Sequence, residues 1–260
     1  MTGTDNRLAI LGCSTADIAE VALVVGDPTR ATALASRLDD SRQVGASREY
    51  HTFAGSVNGR QVTVCSHGVG AGGANVCFFE LLNGGARVFI RAGTCGGLQP
   101  GIRDGHLVLA TGAIREDGAS EPLIPLAYPA ACDRHLSSAL AAAATDLRAT
   151  CHEGLVVTSA NFYSGWQPPP WRKYTPHGAL AVEMELASLL VVAAMHGARA
   201  AGILTVDGNL VEENDPLMTD YDPDRQIVRD GVSAMLDVVV EAVRALPEAV
   251  FANPLRAPNS

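Results

Sequence analysis

The chain has 260 residues, of which 47% are hydrophobic and 18% are charged. This length and apolar content suffice for the core of one large α/β domain and exclude an intrinsically disordered protein. The formal net charge of −9 argues against a broad basic surface for nucleic acid. No apolar run reaches the roughly 18 residues of a membrane span, so we expect neither nucleic acid nor a membrane among the partners.

The start of the chain and the cysteines indicate a cytoplasmic protein. The apolar run before Gly12 is shorter than the roughly 7–15 residues of a secretory signal. The six cysteines are scattered, with no closely spaced pair and no histidine at metal-binding spacing. We therefore expect reduced thiols in the cytoplasm, no metal and no other cofactor.

Short apolar runs alternate with segments of helical periodicity, which is the order of a largely parallel α/β sheet. The predicted strands are Val21–Val25, Val62–Ser66, Val88–Ala92, Leu107–Ala113, Leu155–Thr158 and Ala201–Val206. The predicted helices are Arg30–Leu38, Ala74–Leu82, Arg134–Leu147, Glu185–His196 and Arg225–Leu246. The pattern predicts one domain over residues 1–246, a three-layer α/β/α fold around a central mixed, largely parallel sheet.

Two long loops and a tail interrupt this pattern. The segment Trp166–Trp171 contains three consecutive prolines and predicts a loop or a short rigid lid. The segment Asp207–Pro223 is acidic and without periodicity, which predicts a second loop. Residues 247–260 contain three prolines, counting Pro247, and little periodicity, so we expect a mobile C-terminal tail.

A glycine-rich turn lies between the second predicted strand and the next helix. Gly68-Val69-Gly70-Ala71-Gly72-Gly73 fits the pattern of a dinucleotide-binding turn. That interpretation also requires an acidic residue about 20 positions later, to hold a ribose. Residues 81–103 contain none, which favours a turn that lets the backbone approach another backbone or a ligand.

Two segments at strand ends suit an anion. Gly26-Asp27-Pro28-Thr29-Arg30 follows the first strand, where a helix N-terminus offers free N–H groups, although the same letters form a common turn. Arg91 ends an apolar strand and needs an anionic partner, and Thr94 and the following glycines add a hydroxyl and N–H groups. An internal arginine–aspartate pair is the alternative.

The pair Glu183 and Glu185 lies where a strand meets a helix. In an extended segment both carboxylates face one way and could accept hydrogen bonds from vicinal hydroxyl groups. A solvated helix start would have the same sequence, because acidic residues favour that end of a helix.

Taken together, these segments resemble the nucleoside phosphorylase family of hexameric purine nucleoside phosphorylases and uridine phosphorylases. The resemblance runs from about Ala16 to Leu246. The motifs that carry it are Gly26-Asp27-Pro28 with Arg30, Arg48-Glu49-Tyr50, Ser66-His67-Gly68-Val69-Gly70, Arg91-Ala92-Gly93-Thr94-Cys95-Gly96, Val182-Glu183-Met184-Glu185 and Val206-Asp207-Gly208. The family implies phosphorolysis, in which phosphate attacks the anomeric carbon of a nucleoside and releases the base and a pentose 1-phosphate.

The resemblance also implies a role for individual residues and an assembly. The residues implied to bind phosphate are Gly26, Arg30, Arg91 and Thr94, with Arg48 supplied by a neighbouring subunit. The residues implied to hold the ribose are Met184, Glu185 and Glu183. The residues implied to surround the base are Phe162, Tyr163, Cys95, Gly96 and Val182. Inorganic phosphate is then a co-substrate, and a homo-oligomer is expected, with a hexamer built from three dimers.

Two departures from the family concern the substrate. Members place a histidine near the N-terminus that reaches the 5′-hydroxyl in a partner subunit, whereas Ile10 stands there in this chain. Uridine phosphorylases also carry a Gln-x-Arg pair that reads uracil, and the corresponding Trp166-Gln167-Pro168 region lacks the arginine. We expect relaxed recognition of the 5′-hydroxyl and a base other than uracil.

The choice of base depends on Asp207. In purine phosphorolysis a protonated carboxyl group near N7 can neutralise the leaving base, and purine-cleaving relatives carry an aspartate at this place. We predict Asp207 as this acid, assisted by Arg229 one turn into the last helix; Asp207 as a turn residue before Gly208 is the alternative. A purine nucleoside is therefore favoured over uridine. A nucleosidase of the same fold, which uses water, and a non-catalytic nucleoside-binding protein remain as other functions.

Overall fold

The computed structural model describes residues 6–163, 165–212 and 221–251. Among these residues, ten strands form a single sheet. The strands are β1 (Val21–Val25), β2 (Asp39–Ser47), β3 (Tyr50–Val57), β4 (Arg60–Ser66), β5 (Val88–Gly97), β6 (Leu107–Glu116), β7 (Ala130–Ala131), β8 (Cys151–Ser159), β9 (Ala181–Glu183) and β10 (Arg199–Asn209). The helices are α1 (Pro28–Ala35), α2 (Ala71–Gly84), α3 (Arg134–Asp146), α4 (Leu186–Met195) and α5 (Gln226–Arg244).

Strand β1 lies at the centre of the parallel part of the sheet. It pairs in parallel with β4 on one side and with β5 on the other. Strand β5 also pairs with β10 and β9, and the pairings β5–β10–β6–β8–β9–β5 form a closed circuit. The ends of β1, β5, β9 and β10 are thereby brought to one place.

Helices cover both faces of the sheet, because alternate residues of a strand point to opposite faces. Ala22 and Val24 of β1 belong to a core shared with α2 and α4. Val21, Leu23 and Val25 belong to a second core shared with α1, α3 and α5. All five residues of β1 are buried, as expected for a strand covered on both sides.

The predicted three-layer α/β/α arrangement is present, and the sheet is mixed. In the described part of the chain, parallel and antiparallel strand pairs are equal in number, five of each. The strands β2 and β3, which the sequence pattern does not predict, contribute antiparallel pairs. Strand β2 is mostly exposed at an edge of the sheet, so its sequence lacks the apolar alternation of a half-buried strand.

The end of the chain differs from the predicted mobile tail in its first residues. Glu248–Val250 forms a short 3-10 helix, and Val250 is buried in the core shared with α5. Residues 252–260 of the predicted tail lie outside the described residues. The assignment of residues 1–246 to one domain stays a prediction. Within the described residues, no helix combines the length and apolar character needed to cross a membrane.

Candidate active site

A cavity of about 680 Å³ opens where the ends of β1, β5, β9 and β10 converge. Ligands bind at this place in α/β sheets, outside the carboxyl ends of the strands. Four of its residues form what we call the charged end, namely Arg30, Arg91, Glu183 and Glu185. Four others form the aromatic end, namely Phe162, Tyr163, Trp171 and Tyr221.

Arg91 is the centre of the charged end. Its side chain lies within β5 and is almost wholly buried, with 3% of the residue exposed. One guanidinium nitrogen, Nη2, forms ion pairs with the Glu183 carboxylate at 3.1 Å and with the Glu185 carboxylate. The two other nitrogens, Nε and Nη1, are buried without a hydrogen-bond partner among the described residues. Unpaired donors of this kind are costly, so their presence indicates a ligand that accepts from them.

The pKa values of the Glu183 and Glu185 carboxyl groups are shifted in opposite directions. Burial raises the pKa of Glu183, although the nearby Arg91 charge opposes this. Burial alone would raise the pKa of Glu185 as well, but the charge of Arg91, the neighbouring His67 and the hydrogen bonds from Gly70 and Arg91 together outweigh burial and lower it. Burial disfavours the charge of Arg91, and the Glu185 and Glu183 carboxylates more than offset it, which raises the pKa of Arg91. Glu185 is therefore the ionised carboxylate that faces the cavity.

Glu183 accepts hydrogen bonds from groups that surround the charged end of the cavity. Its Oε2 atom accepts hydrogen bonds from the backbone N–H groups of Glu185 and Leu186, both at 2.9 Å, at the start of α4. Its Oε1 atom accepts a hydrogen bond from the Thr158 hydroxyl. Both oxygens of Glu183 thus accept hydrogen bonds from the protein, and its predicted contact with the sugar stays a prediction. It fixes Arg91 and the helix start.

The second arginine of the charged end comes from the first turn of α1. Asp27 caps this helix, since its Oδ1 accepts hydrogen bonds from the N–H groups of Thr29 at 2.6 Å and Arg30 at 3.0 Å. Burial, and then the charge of Arg91, lower the pKa of the Arg30 guanidinium. Two guanidinium groups that repel one another beside Gly26 form a site for an anion.

The glycine-rich turn contacts a carboxylate. The Gly70 N–H group donates a hydrogen bond of 2.5 Å to Oε1 of Glu185, and Gly70 precedes the first residue of α2. Both Gly68 and Gly70 have positive φ angles, of 75° and 89°, which favour glycine. The turn therefore brings its backbone N–H group against the side chain of Glu185.

His67 lies behind this turn and is fully buried against Phe78. Burial, reinforced by Arg91, lowers the pKa of His67 to about 4, so the ring is neutral near pH 7. One ring nitrogen, Nδ1, is hydrogen-bonded to the Gly68 carbonyl at 2.8 Å. The ring therefore adds no positive charge to the charged end.

Asp207 is placed in the cavity by an irregularity of β10. The register between β10 and β5 shifts between Val206 and Gly208, so Asp207 is the extra residue of a bulge. Bulges redirect a side chain next to active sites. The sequence predicts Asp207 as the first residue of a loop, whereas β10 continues to Asn209.

The Asp207 carboxyl group is buried and lies between the two ends of the cavity. Its Oδ2 atom accepts a hydrogen bond of 2.8 Å from the Tyr221 hydroxyl, and Thr94 also forms a hydrogen bond with the carboxyl group. Burial raises its pKa from 3.8 to about 6, against the opposing effect of these hydrogen bonds and of Arg30. An acid with this pKa carries a proton part of the time near neutrality.

The arginine beside Asp207 is Arg225 and not the predicted Arg229. Arg225 precedes α5, and its Nη2 atom donates a hydrogen bond of 2.8 Å to the main-chain carbonyl of Asp207. Arg229 is exposed on α5 and donates to the Asp224 carbonyl and to Gln226. The prediction of Arg229 as the assisting residue is therefore not supported, because the extended backbone before α5, and not its first turn, reaches β10.

The aromatic end is open to solvent. Phe162 is 43% exposed and Tyr163 70% exposed, and the two rings pack edge to face with centroids 5.0 Å apart. Tyr221 also packs against Phe162, with centroids 5.6 Å apart. The remaining predicted sugar and base residues that line the cavity are Cys95, Gly96, Val182 and Met184.

Arg48 and Ile10 lie away from the cavity lining. Arg48 is exposed in the turn between β2 and β3 and has a φ angle of 54°, which is uncommon for a residue with a side chain. Ile10 is held in a turn by Glu80, whose Oε1 accepts a hydrogen bond of 2.9 Å from the Ile10 N–H group. Neither side chain serves the cavity of its own chain.

Comparison with known proteins identifies the family. The model of the phosphorylase superfamily matches residues 20–244. The chain belongs to the phosphorylase superfamily. It is 36% identical over 232 residues to guanosine phosphorylase from Halorubrum lacusprofundi, with 88% of this chain and 95% of that protein covered. It is 35% identical over 246 residues to uridine phosphorylase from Treponema pallidum, with 91% and 93% covered.

A solved structure resembles the whole fold. The crystal structure of purine nucleoside phosphorylase from Toxoplasma gondii in complex with immucillin-H superimposes with a TM-score of 0.87 at 29% identity. The superposition covers 95% of this chain and 98% of that chain. The predicted family and fold class are thereby confirmed. The roles of individual residues stay predictions.

Proposed function

We propose that this protein catalyses the phosphorolysis of a nucleoside and that its preferred substrate is a purine nucleoside, with a 6-oxopurine as the base. In this reaction a phosphate oxygen forms a bond to the anomeric carbon while the bond from that carbon to the base breaks. The products are a pentose 1-phosphate and the free base. The observation that carries the purine assignment is the buried Asp207 carboxyl group, whose pKa of about 6 suits a proton donor.

The charged end supplies the phosphate site in this proposal. Arg91 offers two buried donors without a partner among the described residues, and Arg30 adds a second positive charge nearby. Guanidinium groups bind phosphate oxygens with strong, charge-assisted hydrogen bonds. Holding the nucleophile beside the sugar reduces the entropic part of the barrier, because the attack becomes a reaction within one complex.

Glu185 supplies the ribose site. Its ionised carboxylate lies at the cavity wall between Arg91 and Gly70, and Met184 lines the wall beside it. A carboxylate can accept hydrogen bonds from both the 2′- and 3′-hydroxyl groups. Its negative charge also stabilises the positive charge that develops on the sugar as the base departs.

Asp207 supplies the proton for the base. The purine ring would lie in the aromatic end, with Phe162 against it and N7 toward the Asp207 carboxyl group. As negative charge develops in the imidazole ring, Asp207 transfers its proton to N7. A pyrimidine has no such atom, so this step distinguishes purine from uracil.

A substrate panel tests the proposal. Inosine, adenosine, guanosine, uridine and thymidine are incubated with the enzyme, with and without phosphate, and release of the base is measured. We expect phosphate-dependent cleavage with the highest specificity constant for a 6-oxopurine nucleoside, and a loss of at least about tenfold in Asp207→Asn with inosine. Equal rates without phosphate would contradict phosphorolysis and favour a nucleosidase.

Uridine is the competing substrate, and one finding favours it: the relative from Treponema pallidum named above is a uridine phosphorylase at 35% identity. A higher specificity constant for uridine than for inosine, together with full activity of Asp207→Asn, would establish this alternative. Binding of nucleosides without turnover of any would instead favour a non-catalytic role.

The proposal includes a homo-oligomer in which the smallest active unit is a dimer, and a hexamer of three dimers as the full assembly. The side chain of Arg48 is exposed and is not part of the lining of its own cavity, although the next residue, Glu49, is, and this position supports a role in a neighbouring subunit. Mixing inactive Arg48→Ala with inactive Glu185→Ala subunits should restore part of the activity, because one hybrid site regains both residues. A fully active monomer in light scattering would contradict it.

Two smaller parts of the proposal concern location and the 5′-hydroxyl. A cytoplasmic location is supported by the six cysteines, all free thiols. Relaxed recognition of the 5′-hydroxyl is supported by Ile10, which has no polar side chain to offer a partner subunit. A loss of about 10⁴-fold for a 5′-deoxynucleoside against its parent would show that another residue recognises this hydroxyl.

A further inference from the structure

Two residues of the segment 221–225 form hydrogen bonds with Asp207. The Tyr221 hydroxyl donates a hydrogen bond of 2.8 Å to the side-chain Oδ2 atom, and Arg225 donates one of 2.8 Å to the main-chain carbonyl. Arg225 is itself held by an ion pair with Asp104. The bulge that carries Asp207 is thus held from the side chain and from the backbone by the same short segment.

Tyr221 also belongs to the aromatic end of the cavity. Its ring packs against Phe162 at 5.6 Å, with an angle of 62° between the ring planes. The same residue therefore contacts the ring proposed to lie against the base and the carboxyl group proposed to protonate it. Among the described residues, Tyr221 is the aromatic side chain whose contacts include both groups.

We propose that Tyr221 is a positioning residue, whose hydroxyl group orients the Asp207 carboxyl group toward the leaving base. Its ring packs against Phe162, so the orientation of the carboxyl group is fixed relative to the ring proposed to lie against that base. The inference rests on the proposed function, because it assumes that Asp207 donates the proton. It adds a residue to that reaction from a segment in which the sequence shows no periodicity or motif.

The Tyr221 hydroxyl donates to Asp207, so this hydrogen bond has a measurable effect on the pKa of the carboxyl group. A phenol hydroxyl that donates to a carboxylate stabilises the ionised form, so it lowers the pKa of the carboxyl group. The other groups that face Asp207 are Arg30 from α1, Thr94 and the buried thiol of Cys95 from β5, and Arg225 at the main-chain carbonyl. Removing the Tyr221 hydroxyl leaves all of these in place.

The test is the pH profile of kcat for inosine in Tyr221→Phe, which keeps the ring against Phe162 and removes the donor. Activity falls at high pH as Asp207 loses its proton, and this decline should move about one pH unit upward in the variant. We also expect the plateau value of kcat at low pH, where Asp207 is protonated in both proteins, to fall about three- to tenfold, with the KM for phosphate unchanged. Tyr128→Phe is the matched control, because Tyr128 lies outside the active-site cavity, and its profile should match the wild type.

A double variant separates positioning from general damage to the structure. In the Asp207→Asn background, Tyr221→Phe should have no further effect on kcat, since the group that it positions no longer donates a proton. The inference would be overturned if kcat declined at the same pH in Tyr221→Phe as in the wild type while Asp207→Asn lost most of its activity. The proposed function would then remain intact. Full activity of Asp207→Asn would overturn the proposed function, and the inference would fall with it.

Discussion

The two ends of the cavity are built in opposite ways. At the charged end, Arg91 is bonded to two buried carboxylates, and strand β5, strand β9 and the start of α4 hold all three groups. At the aromatic end, Phe162, Tyr163 and the nearby Trp166 are 43%, 70% and 91% exposed and lie in an irregular segment. In the proposed reaction the charged end would bind the phosphate and the sugar, which all nucleoside substrates have in common, and the open end would bind the base, which differs between them.

This difference predicts unequal responses to substitution. Changes at the charged end should act on catalysis, because they disturb groups that cannot move without loss of buried hydrogen bonds. Changes at the aromatic end should act on the affinity and choice of base. Substitutions of Arg91, Asp207, Gly93 and Phe162 test this difference, and we expect their effects to decrease in that order.

The largest effect is expected for Arg91→Ala. The substitution removes the charge-assisted donors to phosphate and leaves Glu183 and Glu185 buried without their shared partner. We expect a loss of about 2–4 kcal/mol in transition-state stabilisation, or roughly 30- to 1000-fold in kcat/KM with saturating nucleoside and varied phosphate. Arg244→Ala, at the C-terminal end of α5, is the control and should leave kcat/KM unchanged. A similar loss in both variants would contradict the assignment.

Asp207→Asn should increase stability while it reduces activity. The folded carboxyl group has a pKa of about 6 against an ordinary value of 3.8, so the unfolded chain ionises first as the pH rises. The resulting cost to the folded state is absent below pH 3.8, grows between pH 3.8 and about 6, and is complete above this range. Asparagine removes a cost of up to about 3 kcal/mol at pH 8.

Urea unfolding at pH 8 and near pH 4 checks this prediction. The free energy of unfolding should rise in Asp207→Asn at pH 8 and change little near pH 4. The control is Asp237→Asn, which alters an exposed carboxylate paired with Arg37 and should have a small effect at both pH values. A destabilised Asp207→Asn at pH 8 would show that its hydrogen bonds outweigh the cost of burial.

Gly93→Ala tests how tightly the charged end is packed. A methyl group at Gly93 would overlap the Arg91 guanidinium and would lie 2.9 Å from Cδ2 of Leu204. Displacing Arg91 should raise the KM for phosphate about five- to 150-fold, since an overpacking cost of about 1–3 kcal/mol would act on the residue proposed to bind phosphate. Gly72→Ala is the matched control, because a methyl group there meets no atom within 4 Å. Equal KM values for Gly93→Ala and the wild type would show that Arg91 has room to move.

The smallest effects are expected at the aromatic end. Phe162→Ala should raise the KM for the nucleoside about five- to 30-fold and leave kcat nearly unchanged, because stacking on a base contributes about 1–2 kcal/mol to binding. Trp166→Ala, in the same segment but 91% exposed, should change KM by less than about twofold. A larger effect for Trp166 than for Phe162 would support the predicted rigid lid over the cavity.

The sequence predicts the charged end better than the aromatic end, for a physical reason. Arg91 and Glu185 occur in short motifs at strand ends, where an apolar run makes a charged residue conspicuous. Tyr221 lies in an acidic segment without periodicity, and only the folded chain brings its hydroxyl to Asp207. No local signal could have identified it.

Two other differences arise from backbone geometry. The predicted helix beginning at Arg225 places Arg229 one turn inside, but α5 begins at Gln226 and Arg225 has an extended ψ angle of 140°. The side chain of Arg225 therefore turns back to β10. The paired carboxylates Glu183 and Glu185 likewise suggest two equal sugar ligands, whereas the start of α4 uses Glu183 for its own N–H groups. These differences between neighbouring residues depend on hydrogen bonds that the spacing of residues in the sequence does not specify.

The ion pair between Arg91 and Glu185 has a consequence for how the two substrates bind. In the proposed function, phosphate binds the Nε and Nη1 donors of Arg91 and the sugar binds Glu185. Bound phosphate would neutralise part of the Arg91 charge and so weaken its pairing with Glu185, which would make that carboxylate more available to the sugar hydroxyl groups. Linkage then requires each substrate to tighten the binding of the other by the same factor. Equal dissociation constants for nucleoside with and without a bound phosphate analogue would show that the two sites are independent.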